Sequence, residues 1–212
     1  MITLGMLETT GFTPAMAALD VMEKAANVEV YQAELNDFLG VILKLRGSVD
    51  DVATALQRGA DVAARLRGRP VTQIIPQVDA GSWQAIQSPA EFNVLIQQDV
   101  VTFPLFEPAE PTTQTKELTM TSHPPALGFI ETQGFTAVFA AIDAACKTAN
   151  VEVLGKEKLG GGYVTVIVQG DVAAVKAAIE AAQAPVAGLG TLIAAHVITG
   201  PSAGVLSLLP RA

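Results

Sequence analysis

Short apolar runs bounded by turn residues alternate along this chain with segments whose apolar positions recur at every third or fourth residue, and that succession runs through twice. Residues 2–8 form a short, mostly apolar run ending at Thr9, Thr10 and Gly11, the pattern of a strand and a turn. Between residues 13 and 26, Met16, Leu19, Met22 and Ala26 fall at helical spacing, with Asp20, Glu23 and Lys24 elsewhere on the wheel. Asn27 closes that helix. Residues 28–33 and 40–45 read as strands separated by a break at Leu35, Asn36, Asp37 and Phe38. Gly47 and Ser48 open a second helix, with Ser48 and Asp51 at capping-box spacing, and residues 71–78 read as a fourth strand.

Residues 127–153 then repeat residues 4–30, with more than half of the positions identical. The offset is constant (Gly128 against Gly5, 128 − 5 = 123) and continues without a gap to Gly47 and Gly170. Asp171 is the expected N-cap where the first copy has Ser48. A repeat this long is a whole folding unit in tandem, too large for a solenoid module. Strand, helix, strand, strand, helix, strand predicts an α+β unit, with its helices on one face of a mainly antiparallel sheet. The expected organisation is a first domain over residues 1–87, a linker over 88–126 and a second domain over 127–212. Pro104, Pro108, Pro111, Pro124 and Pro125, with the threonine-rich run 112–115, make the linker an extended connection with little core of its own. Residues 89–97 read as a short helix before it.

Composition narrows the function. Half of the 212 residues are hydrophobic and only 16% are charged, so some apolar surface is expected to meet other subunits. The net charge of −8 argues against nucleic acid, which needs a concentrated basic face. No membrane span is expected: residues 181–210 lack Asp, Glu, Lys and Arg, but Pro185, Gly188, Gly190, Gly200, Pro201 and Gly204 interrupt the run. The opening residues lack the basic start and apolar stretch of a signal peptide. One cysteine excludes an internal disulfide.

Candidate chemistry thins out under the same scrutiny. Lys158 precedes Gly160, Gly161 and Gly162, and a valine-rich strand follows; a phosphate loop needs its lysine after the glycines and a helix downstream. Cys146 falls mid-helix, away from the helix N-terminus that favours a thiolate. His123 and His196 show no metal spacing. The matched carboxylates Glu8 and Glu131, and Asp20 and Asp143, lack any oxyanion partner, so strand-end and helix-face roles are expected. No catalytic or metal-binding constellation remains.

The residues left over are the ones a known family carries. Leu127 to Thr132 (LGFIET), the AIDA and ANVEV segments, and then EKLGGGYVTVIVQGDVAAVKAAIEAA resemble the bacterial microcompartment (BMC) shell domain. The Gly160–Gly162 turn stands at that family's pore loop. The match recurs in the first copy, so the chain resembles a tandem-domain, non-permuted, trimer-forming shell protein. The resemblance implies two ferredoxin-like BMC domains and a structural role in a microcompartment shell in the bacterial cytoplasm. Three chains would form one pseudohexameric tile with a central pore for metabolites. The implied partners are the chain itself as a homotrimer, other shell proteins and encapsulated enzymes, with no nucleic acid and no membrane.

The resemblance also assigns residues. Lys24 and Lys147 match the family's tile-edge lysine. Asn36, Asp37, Phe38 and Leu39 share the pore with Gly160, Gly161 and Gly162; the expected opening is lined by Gly160, Gly161 and Phe38, with Asp37 near its rim. The arginine of the family's Pro-Arg-Pro edge segment is replaced by Gln77 and Gly200. Neither pore loop carries the cysteine by which some tandem members hold an iron–sulfur cluster, so no cofactor is expected. The alternative, an α+β enzyme or small-molecule-binding regulator, would be a monomer with saturable ligand binding.

Overall fold

The computed structural model describes residues 3–36, 39–104 and 125–210. The first unit contains β1 (Thr3–Thr10), α1 (Phe12–Ala25), β2 (Val28–Asn36), β3 (Gly40–Gly47), α2 (Val49–Arg65) and β4 (Val71–Ile75). A short helix α3 (Ala80–Ile86) and three two-residue strands follow, β5 (Phe92–Asn93), β6 (Gln98–Asp99) and β7 (Val101–Thr102). The second unit contains β8 (Ala126–Gln133), α4 (Phe135–Thr148), β9 (Glu152–Gly160), β10 (Tyr163–Gly170), α5 (Val172–Gln183), β11 (Thr191–Ile198) and α6 (Ala203–Ser207). No helix among the described residues is long and apolar enough to cross a membrane.

Both units fold as the sequence rhythm predicts. The first sheet runs β4-β1-β3-β2-β7 and the second β11-β8-β10-β9, antiparallel throughout. Their registers are copies: Leu7 faces Leu43 as Ile130 faces Val166, and Leu4 faces Ile75 as Leu127 faces Ile198. Gly5 and Gly128 let the helices lie close on the first strand of each sheet. A Cβ on Gly5 would stand 2.5 Å from Val52, and one on Gly128 2.7 Å from Ile179. Ser48 caps α2 by accepting from the Asp51 amide at 3.1 Å, and Asp171 caps α5 by accepting from the Ala173 amide at 2.8 Å.

Each unit has a core between its sheet and its helices, but the first core extends further. Leu127, Phe129, Ile167 and Ile198, on the opposite face of the second sheet from α5, join Leu7, Met16, Leu19 and Leu43 of the first unit in one cluster. Helix α1 is therefore sandwiched between its own sheet and the face of the next. Burying a side chain such as Phe129 contributes about 2–3 kcal/mol.

The segment between the units differs from expectation. Residues 89–97 are not helical: Phe92 and Asn93 pair with Asp99 and Gln98. The Asn93 side chain accepts from the Leu95 amide at 2.9 Å, and Gln97 adopts φ +58°, so local turn chemistry outcompetes the helix. The helix forms earlier, as α3, where Asp79 accepts from the Gly81 amide at 2.8 Å. Strand β4 stops at Ile75, because Pro76 lacks the amide needed to extend the ladder. Part of the linker also gains a core: β7 adds to the edge of β2, with Val101 buried.

The linker side of the first sheet carries charge where its copy is apolar. Lys44, at the position of Ile167, is buried and donates to Gln32 Oε1 at 2.8 Å, to Glu34 and to the Ile86 carbonyl. The Arg46 guanidinium lies 3.6 Å from the Tyr31 ring centroid and 5.0 Å from that of Trp83. Helix α3 thus rests on a polar and cationic surface.

Candidate functional site

Two turns with equivalent geometry come together at one end of the seam between the units. In the first, Leu39 adopts φ +61° and its carbonyl accepts from the Gly11 amide at 2.8 Å. In the second, Gly162 adopts φ +83° and its carbonyl accepts from the Gly134 amide at 2.8 Å. Each turn is thereby tied to the N-terminus of the first helix of its own unit. Asn36 orders the first turn from inside: it donates to Glu8 Oε1 at 2.7 Å and accepts from the Gly40 amide at 2.8 Å.

Gly160, Gly161 and Gly162 all have positive φ, at +88°, +54° and +83°. A side chain at Gly161 would also meet Leu39 of the other turn, 2.8 Å from the Cβ position. The structure therefore brings Leu39 and Gly161, two of the expected pore residues, into contact, with Gly160 and Gly162 beside them. Asp37 and Phe38 lie outside the described residues. A glycine turn of this kind offers backbone amides and carbonyls, and among the described residues no group of His, Cys, Asp and Glu is placed to hold a metal ion.

The expected edge lysines occupy equivalent last turns of α1 and α4. Lys24 pairs with Asp20 at 2.7 Å, and Lys147 pairs with Asp143 at 2.6 Å. The surroundings differ. Asp20 is buried and also accepts from the Ser202 amide at 2.9 Å, whereas the Lys147 pair is exposed on both sides. Cys146 is exposed on α4. His196 lies half-buried on β11, where desolvation lowers its pKa against the opposing pull of Asp20. His123 lies outside the described residues.

The seam itself holds the residue that the sequence reading underrated. Helix α1 follows Gly11 and has no cap from its own unit. Glu131, fully buried on β8, reaches it instead and accepts from the Phe12 amide at 3.0 Å and the Thr13 amide at 2.9 Å. A carboxylate at a helix N-terminus satisfies orphan amides and complements the dipole. Burial nevertheless raises its pKa above the usual carboxylate value, against those two bonds and the neighbouring hydroxyls of Thr13 and Thr165. The signal was a carboxylate within an apolar strand, present in both copies; its partners lie 118 and 119 residues away.

A half-buried acid, Glu157, borders a cavity of about 760 Å³ between the units, lined in part by Phe12, Leu35, Val101 and Leu208. Desolvation pushes Glu157 up to about 7, with Asp99 adding to the rise and Gln98 and Lys158 opposing it. Gln98 donates to Glu157 Oε2 at 3.0 Å.

The BMC domain matches residues 3–78 and again residues 126–201, the two units just described. The chain belongs to the BMC domain family. Over 86 residues it is 51% identical to the bacterial microcompartment shell protein PduA of Citrobacter freundii, covering 41% of this chain and 92% of that protein. The carboxysome assembly protein CcmO of a Synechococcus species is 30% identical over 212 residues, covering 98% of this chain and 68% of its own. A crystal structure of a microcompartments protein from Desulfitobacterium hafniense covers 95% of this chain and 96% of its own, at 24% identity and a TM-score of 0.36. The two BMC domains have the α+β fold expected of the tandem arrangement.

Proposed function

We propose that this tandem BMC protein is a structural shell protein of a bacterial microcompartment, located in the wall of that compartment in the bacterial cytoplasm. Three chains close into a pseudohexameric tile, and the turns at Asn36–Leu39 and Gly160–Gly162 surround a central pore for metabolites. The observation that carries this reading is the pair of BMC domains, alike in fold and register, whose equivalent turns meet at one end of their seam. A duplicated unit reduces a sixfold ring to a threefold one, leaving the two copies free to differ. Other shell proteins are its neighbours in the wall, and its role is that of a wall panel rather than a catalyst.

The test is the solution mass. Three chains of 22.0 kDa give 3 × 22.0 = 66 kDa, and a stable monomer or dimer at micromolar concentration would overturn the ring. Lys24 and Lys147 act at the tile edges, where a long apolar stem lies across a neighbour while its charged head stays hydrated. Lys24→Ala combined with Lys147→Ala is expected to leave trimers intact and abolish extended sheets in electron micrographs; unchanged sheets would remove both lysines from the edge.

The pore has its own test. Asp37→Asn removes three carboxylates from one axis and is expected to shift ion preference away from cations. Phe38→Gly is expected to raise flux. If neither change alters the permeability of reconstituted shells, these turns do not gate the tile.

A further inference from the structure

The two BMC domains meet through unlike surfaces, a sheet face of the second against α1 of the first, and each surface has a counterpart that is less covered. On the helix side, Phe12 and Met16 are 5% and 0% exposed, whereas Phe135 and Phe139, at the same places on α4, are 43% and 49% exposed. On the sheet side, Phe129 and Glu131 are fully buried, whereas Met6 and Glu8, at the same places on β1, are half-buried. Helix α4 follows Gly134 and, like α1, receives no side-chain cap from its own unit. The chain therefore ends in two halves of the seam it already contains once.

We propose that these halves receive successive copies of the chain, and that Glu8 of one copy caps the Phe135 and Thr136 amides at the N-terminus of α4 in the next. The geometry is that of Glu131 on Phe12 and Thr13, carried 123 residues along by the repeat. Asn36, which already donates to Glu8 Oε1 at 2.7 Å, is the positioning residue for the carboxylate. Such a head-to-tail contact uses different surfaces on its two sides, so it closes into a ring when the rotation allows. This inference rests on the trimeric ring and adds which surfaces meet in it.

The same correspondence makes a geometric demand elsewhere in the seam. Within the chain, Glu23 accepts from the Gly204 amide at 2.8 Å, and a Cβ on Gly204 would stand 2.2 Å from its carboxylate. The counterparts are Cys146 for Glu23 and Gly81 for Gly204. A thiol placed at Gly81 of one copy should therefore meet the native Cys146 of the next, the chain's one cysteine.

Two experiments test the seam in the full chain. Gly81→Cys is treated with diamide, which takes up the two electrons and two protons released as two thiols become a disulfide. The expected result is a non-reducing gel ladder of one, two and three chains that disappears when Cys146→Ser is added. No ladder from a protein that is still trimeric by native mass would overturn the seam and leave the ring standing. A ladder that survives Cys146→Ser would mean that position 81 meets its own copy, and would overturn the seam as well. A wild-type protein that is not trimeric would overturn the ring itself. Separately, Glu8→Ala is expected to weaken association about tenfold at each seam, the size of a lost helix cap. Dissociation at the wild-type concentration would remove Glu8 from that role.

Discussion

Glu131→Ala is expected to lower the stability of the chain by about 2–4 kcal/mol and to loosen α1 from its N-terminus onward. The substitution leaves the Phe12 and Thr13 amides buried beneath the second unit with no acceptor, and each buried unsatisfied donor costs about 1–3 kcal/mol. Relief from burying a carboxylate offsets part of that loss, since desolvation already raises its pKa. Hydrogen exchange gives the direct readout. The Phe12 and Thr13 amides should exchange much faster in the variant, while those of α5, capped within their own unit by Asp171, stay unchanged. Glu131→Gln keeps one acceptor and is expected to lose less. Equal protection in wild type and Glu131→Ala would mean that the contact does not close the helix. The proposed association of copies would also stabilise the chain, so all variants need comparison at one protein concentration.

Glu157→Gln is expected to stabilise the protein at pH 8 and to make no difference below about pH 4.5. The sign follows from the direction of the shift. Burial raises the folded pKa from 4.5 to about 7, so between those values the folded chain holds a proton that the unfolded chain has released. Stability therefore falls as pH rises through that window and levels off above about 7. One pKa unit corresponds to about 1.4 kcal/mol, so the full effect is up to about 3 kcal/mol. The glutamine keeps an oxygen for Gln98 and carries no charge into the cavity. Urea midpoints of wild type and variant, measured from pH 5 to pH 8, should diverge with rising pH. Parallel curves would show that the Glu157 carboxyl is hydrated. The comparison must be a difference, because Glu131 pulls the wild-type curve in the same direction.

What the sequence made legible was whatever is encoded locally. Short apolar runs between turn residues, and helical spacing, placed the eight main strands and four main helices of the two units. Ser48 and Asp171 were identifiable as caps because their partners lie three and two residues away. The break between β2 and β3 marked the first turn, and the Gly160–Gly162 run marked the second. Contacts that cross the chain were not legible. Glu131 was seen as a repeated carboxylate, but its role depends on amides supplied by the other unit. The linker misled for a related reason: α3, β5 and β6 are too short to set up a rhythm. Only the docking of β7 on β2, and of α3 over Lys44 and Arg46, shows why that segment is ordered.

The linker has one more effect, on how the chain avoids joining in the wrong way. An open strand edge is a row of unused donors and acceptors, ready to template a fibre. At β2 that row is partly occupied by β7, which pairs with Ala33 and Glu34. At β9 a single glutamine substitutes for a strand: Gln98 accepts from the Lys158 amide at 3.1 Å and donates to the Lys158 carbonyl at 2.7 Å, as a neighbouring peptide would. One passing segment thus blunts an edge in each sheet. If copies of the chain join edge to edge as proposed, that closes off growth in the one direction where each added copy would lengthen a filament instead of widening a wall.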